Sequence, residues 1–135
     1  MEPIKTRLNS LENALMRLND SLLLFNKPEY FQFHVQFRDS VIQSFEFSYD
    51  LFWKCLKDLL LEKYGITVAS PKKALREAFD QEIIDEKEYL LFSDMTDDRN
   101  DTVHKYDVAM AEEIAKKAFT YHQVMLGVKK RIEKL

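Results

Sequence analysis

The stretch Asp97-Asp98-Arg99-Asn100-Asp101-Thr102-Val103-His104-Lys105-Tyr106-Asp107 decides how this chain divides into helices. Nearly every residue in it is polar, and it falls between two long helical patterns. A bundle places only a short connector at such a point, so the stretch reads as an exposed junction between two neighbouring helices. Asp107 reads as the N-cap of the last helix. The junction also gathers chemistry. Arg99 carries a planar, permanently charged fork that matches phosphate oxygens. His104 exchanges a proton near neutral pH. The four residues between them suit a helix end followed by a turn, so that both side chains reach one cleft. A plainer reading stands beside this one. Asp, Asn and Thr are ordinary caps and turn formers, and Arg99 can satisfy carbonyls at the end of the helix before it.

Working outward, Asp85-Glu86-Lys87-Glu88 reads as a capping box opening helix four. Tyr89, Leu90, Phe92 and Met95 are its apolar residues, and its end is expected near Arg99 or a few residues beyond. Helix five is expected from Asp107 to about Lys134, buried along Ala111, Ile114, Ala118, Tyr121, Met125 and Val128. His122 is expected at the surface or partly packed. Lys129-Lys130-Arg131 suits the negative end of that helix's dipole.

Toward the N-terminus, Pro3 to about Phe25 reads as helix one, with Leu8, Leu11, Leu15, Leu18 and Leu22 as its stripe. The run Leu22-Leu23-Leu24-Phe25 predicts burial on two sides. Asn26-Lys27-Pro28 ends the helix. Glu29 to His34 reads either as an aromatic loop over one bundle end or as the start of helix two. His34 reads as a packing or surface residue. Helix two runs from about Phe33 to Tyr64, some thirty residues or roughly 45 Å, with Gly65 as its left-handed cap. It is apolar around much of its girth and so belongs at the centre. Ser70-Pro71 caps a short helix three that reaches about Phe79.

Gln43, Glu46, Asp50 and Lys54 draw a polar line along helix two. One reading is a solvated seam with an Asp50–Lys54 pair. The other is a line facing Arg99, with Glu46 or Asp50 orienting Arg99 or His104.

The fold class is therefore all-α: an antiparallel four-helix bundle with one additional short helix, a single domain over residues 1–135. Only two glycines and three prolines interrupt 135 residues. The net charge of −3 argues against a broad nucleic-acid footprint, so any RNA contact must be local, and no DNA partner is expected. The lone Cys55 excludes an internal disulfide and any cysteine-cluster metal site. It lies in an apolar run and reads as buried. No metal or cofactor site is expected. Neither a signal peptide nor a membrane span is visible, and the expected location is cytoplasmic.

Arg99-Asn100-x-x-x-His104-x-Tyr106 resembles the Arg-x4-His-x-Tyr signature of HEPN domains, nearest the branch encoded beside minimal nucleotidyltransferases. That branch includes proteins called nucleotidyltransferase substrate-binding proteins and HepT-type toxins. Arg38-Asp39-Ser40-Val41-Ile42-Gln43-Ser44-Phe45-Glu46-Phe47, Asp50-Leu51-Phe52-Trp53-Lys54, Ser70-Pro71 and Arg76-Glu77-Ala78-Phe79 extend the match from about Arg38 to Tyr121. Relatives often carry Glu at the place of Asp50, which keeps the charge. The resemblance implies a HEPN-like bundle and a metal-independent endoribonuclease toxin acting on RNA as a homodimer. Arg99 and His104 would be catalytic, and Asn100, Glu46 and Asp50 would support them. A partner minimal nucleotidyltransferase, joined in a heterotetramer, would neutralise the toxin by transferring AMP to Tyr106. The alternative is a non-catalytic subunit that presents nucleotide or substrate to the same transferase. A helical adaptor is the third class.

Overall fold

The computed structural model describes residues 2–135. Five α-helices account for most of it: α1 (Glu2–Phe25), α2 (His34–Tyr64), α3 (Pro71–Asp80), α4 (Glu86–His104) and α5 (Val108–Glu133). There is no strand among the described residues. Four long helices and one short one are the architecture that the apolar periodicity predicts.

Cross-helix pairs give the directions. Arg7 meets Asp58 at 3.1 Å and Ser21 meets Ser40 at 2.7 Å, so α1 and α2 are antiparallel. Phe52 stacks on Phe92 at 4.4 Å while Glu46 meets Thr102, so α2 and α4 are antiparallel. Arg38 meets Glu112 and Phe45 stacks on Tyr121, so α2 and α5 run the same way. The chain thus goes up, down, up, down, with α3 inserted between α2 and α4.

Helix α2 packs against every other helix, as its apolar girth predicts. Its Val41, Phe45, Phe52, Cys55, Leu56 and Leu60 are wholly enclosed. Burying each large apolar side chain contributes about 1.5–3 kcal/mol, which is what holds so long a helix in place. The helix ends where Gly65 adopts φ 66°, the left-handed conformation that costs glycine least. Ser70, Asp85 and Asp107 all cap their helices through their side chains, and Asp85 forms the full capping box with Glu88.

Several expectations need correction. Residues 28–33 form neither a loop nor the start of α2 but a separate 3-10 helix led by Pro28. Leu23 and Leu24 are exposed, so the predicted two-sided burial at the end of α1 does not occur. His122 is buried, its Nε2–H donating to the Leu15 carbonyl at 3.1 Å. Lys129 is buried too, and it pairs with Glu12 at 3.2 Å and Glu133 at 3.0 Å rather than facing the helix terminus freely. Burial lowers its pKa, but the two carboxylates outweigh that and leave it above its ordinary value.

Candidate functional site

The polar line of α2 resolves into two halves. Gln43 is exposed and lines a surface cleft between α1 and α2. Glu46 and Asp50 face α4 and bind Arg99. The Arg99 guanidinium donates from Nε to Asp50 Oδ1 at 3.2 Å and from Nη2 to Asp50 Oδ2 at 3.1 Å, a two-pronged contact. Its Nη1 donates to Glu46 Oε2 at 3.0 Å. Thr102, one turn along α4, brings its hydroxyl to 2.7 Å from the same Glu46 oxygen and 2.8 Å from the Arg99 carbonyl. The hydrogen bonds to Asp50 raise the Arg99 pKa, against the opposing effect of burial, so the cation is permanent. Of the two readings of the polar line, the one facing Arg99 describes the structure; the Asp50 carboxylate pairs with Arg99.

Anchored this way, α4 does not stop at Arg99. It continues another turn to His104, so Arg99 braces helix against helix rather than capping free carbonyls. The continuation also separates the two motif residues. Five helical positions apart, Arg99 and His104 point about 140° away from each other around the axis. Arg99 and Thr102 face α2, whereas Asn100 and His104, four apart, share the outer face. Both are exposed, and neither side chain makes a hydrogen bond among the described residues. The expected single cleft holding Arg99 and His104 is therefore not formed by one chain alone. Four surface clefts lie elsewhere, and none is lined by Arg99, Asn100, His104 or Tyr106.

The acidic residues around the motif are partly neutralised. Asp98 accepts from Lys117 at 2.7 Å and from the Tyr121 hydroxyl at 2.5 Å. Burial, followed by the Asp98 bond, pushes the Tyr121 pKa far up, which keeps it a donor. Asp97 lies 3.9 Å from Lys72, and Asp101 is exposed.

Tyr106 belongs to the connector between α4 and α5, and half of it is exposed. Its hydroxyl donates to Asp39 Oδ1 at 3.0 Å. Behind Asp39 stands a chain of groups that single-residue reading of the sequence misses. Buried Arg38 donates to Asp39 Oδ1 from Nε and Nη2, and from Nη1 to Glu112 Oε2 at 3.2 Å. The His34 Nε2 lies 2.9 Å from Glu112, and the His34 ring packs on Phe25 and Phe31. The Glu112 pKa is lowered, first by the bond to His34 and then by Arg38. In the sequence, Arg38 and Asp39 stand out only as part of the family resemblance. Arg38's partner Glu112 lies more than seventy residues away, and no local pattern joins them.

Comparison with known proteins agrees with this architecture. A protein of Thermus thermophilus of known structure is 34% identical, with 90% of this chain and 98% of that one aligned at TM-score 0.80. A tri-AMPylated HEPN toxin of Shewanella oneidensis, solved with its MNT antitoxin, superposes at TM-score 0.80 with 12% identity over 98% of this chain and 97% of that one. A mutant of the MntA–HpeT toxin–antitoxin superposes at 0.81 with 12% identity over all of both chains. At such identity the last two speak for the fold alone: it is the HEPN bundle. No curated protein matches the chain. The family model described as "nucleotidyltransferase substrate binding protein like" matches residues 6–134. That span takes in α2, the Arg99 cluster and the whole polar junction, and the chain belongs to this family.

Proposed function

We propose that this chain is a HEPN-type toxin, a metal-independent endoribonuclease that works as a homodimer and is neutralised by a partner minimal nucleotidyltransferase. The observation that carries this reading is the state of Arg99. A guanidinium has five N–H groups, and three are spent on Asp50 and Glu46. Two N–H groups are left on a side chain whose orientation is fixed by its own neighbours. A cation held so, before any ligand arrives, suits a phosphorane whose charge grows in the transition state.

In the proposed reaction the 2′-oxygen of one nucleotide attacks the adjacent phosphorus. A 2′,3′-cyclic phosphate forms and the 5′-oxygen leaves. One imidazole takes the 2′-proton and another protonates the leaving oxygen. His104 supplies one imidazole per chain, so two copies across a two-fold axis supply both. Asn100 shares the outer face with His104 and contacts phosphate. Transfer of AMP to Tyr106, two residues from His104, adds an anionic phosphodiester and a base at the place RNA must occupy. The tri-AMPylated state in the Shewanella structure's description is consistent with such control.

A second reading is supported by the family's description and by the net charge of −3. In it the chain is a non-catalytic subunit that presents nucleotide or substrate to the transferase. RNA cleavage by purified protein in excess chelator separates the two. The toxin reading expects cleavage by wild type and none by His104→Ala, whose exposed side chain carries little packing. Absence of cleavage by wild type across RNA substrates would favour the binding subunit.

A further inference from the structure

Nucleotidyl transfer to Tyr106 needs more than an accessible hydroxyl. The phenol is half exposed, so a partner's active site can reach it. Its pKa, however, is raised, first by burial and then by the hydrogen bond to Asp39, with Arg38 opposing. The phenol is therefore neutral when a nucleoside triphosphate arrives, and a neutral phenol is a weak nucleophile. Its proton already points at a carboxylate: Tyr106 donates to Asp39 Oδ1 at 3.0 Å, within the reach a general base requires.

That carboxylate is itself held still. Asp39 is about half exposed, yet its Oδ1 takes two N–H donors from Arg38, whose side chain is only 8% exposed. Arg38 is fixed by Glu112 from α5, and Glu112 by His34. The His34 ring is wedged between Phe25 of α1 and Phe31 of the 3-10 helix, at 4.8 and 5.9 Å. A connector residue is thus aimed by a chain of groups that ends in the hydrophobic end of the bundle. The charged and titratable groups facing the hydroxyl are Asp39 and Arg38 from α2, with Glu112 of α5 and the His34 imidazole behind them.

We propose that Asp39 is the proton acceptor for nucleotidyl transfer to Tyr106, and that Arg38, Glu112 and His34 are positioning residues that hold it. The inference rests on the reading of Tyr106 as the modified residue. The Tyr106 oxygen attacks the α-phosphorus of a nucleoside triphosphate bound by the partner transferase. The oxygen–phosphorus bond forms, the bond to the bridging oxygen breaks, pyrophosphate leaves, and the phenolic proton passes to the Asp39 carboxylate. Arg38 lies beside the new phosphodiester and offsets its charge.

The test uses the full chain with its cognate transferase and ATP, following adduct mass on Tyr106 over time. Asp39→Asn keeps the size and an acceptor oxygen but cannot take the proton. Initial rate is expected to fall about a hundredfold near pH 7, the scale of a lost general base. The ratio of variant to wild-type rate cancels the transferase's own titration. It should climb toward one as pH rises and hydroxide replaces the base, and Asp39→Glu should recover much of the rate. Glu112→Gln should give a smaller loss with the wild-type pH profile. Melting curves identify any variant that fails to fold, and Asp39→Glu provides the comparison in that case. Modification of Asp39→Asn at the wild-type rate overturns the inference and leaves the reading of Tyr106 standing. A loss shared equally by Asp39→Glu, or a ratio that ignores pH, also overturns it. A wild-type chain that acquires no mass on Tyr106 overturns both.

Discussion

Arg99 and His122 show how much one side chain's surroundings decide. Arg99 meets Asp50 with two parallel N–H bonds and Glu46 with a third. Lysine at 99 keeps the charge but loses the planar fork and its fixed direction. If the fork acts on the transition state, Arg99→Lys lowers the RNA cleavage rate about a hundredfold or more, while RNA affinity falls much less. Near-normal cleavage in that variant would reduce Arg99 to a point charge. His122 makes a different case. Its Nε2–H donates to the Leu15 carbonyl and its Nδ1 accepts from Gln123, so the buried ring is neutral. Burial lowers its pKa below 6.5, against the opposing effect of the Leu15 bond. Below that value the unfolded chain takes up a proton that the folded ring resists, so stability falls as the pH drops through about 6.5. Glutamine at 122 can keep the bond to Leu15 and does not titrate. His122→Gln is therefore expected to flatten the decline of denaturation midpoint between about pH 7 and 5, read in urea melts. An unchanged slope would remove His122 from the account of acid sensitivity.

At the scale of elements, the chain advertises its helix starts better than its helix ends. Ser70, Asp85 and Asp107 are caps because of local hydrogen bonds within a few residues, and each is visible in the sequence. The end of α4 is legible only to within a turn, since the Arg99 contacts to Asp50 and Glu46 on α2 leave no local signal. The outward turn of Leu23 and Leu24 was hidden for the same reason: an apolar run reveals a demand for burial, not whether the neighbouring helix supplies it. Arg99, His104 and Tyr106 were legible as a motif, and Glu46 and Asp50 as one possible partner line. The Asp39–Arg38–Glu112 chain was not legible, since it depends on α2 and α5 lying side by side. The α3–α4 turn offers a test of local geometry. Glu82 has φ 61°, a left-handed conformation that a side chain disfavours. It follows the end of α3, where Ile83 N–H bonds back to the Ala78 carbonyl. Glycine there relieves roughly 1–2 kcal/mol of backbone cost but adds about 0.5–1 kcal/mol of freedom to the unfolded chain. Glu82→Gly should therefore stabilise the protein by about 0.5–1 kcal/mol, seen as a higher denaturation midpoint. A lower midpoint would mean that the Glu82 side chain contributes a contact worth more than the strain.

For the whole molecule, the two ends of the bundle differ. The end of α1, the 3-10 helix, the start of α2, the end of α4 and the start of α5 all meet at one end. Leu23, Phe31, Phe33, Val35, Val103 and Val108 are exposed there, and Phe31 is 77% exposed. His104, Asn100 and Tyr106 lie at that same end. An exposed apolar group of this kind beside exposed polar residues marks a contact surface. In the proposed chemistry a second copy covers this surface, since it brings the second imidazole. Light scattering at micromolar concentration is expected to give twice the 16.1 kDa of one chain. Phe31→Asp places a charge in that patch and, through the two-fold axis, does so twice. It should shift the protein to monomer and remove RNA cleavage together, although His104 and Arg99 are untouched. If Phe31→Asp remains a dimer but no longer binds the transferase, the patch belongs to that partner and the two imidazoles must meet across another face. A wild-type monomer at micromolar concentration would leave one imidazole per site, and a two-imidazole cleavage would then have no second proton carrier.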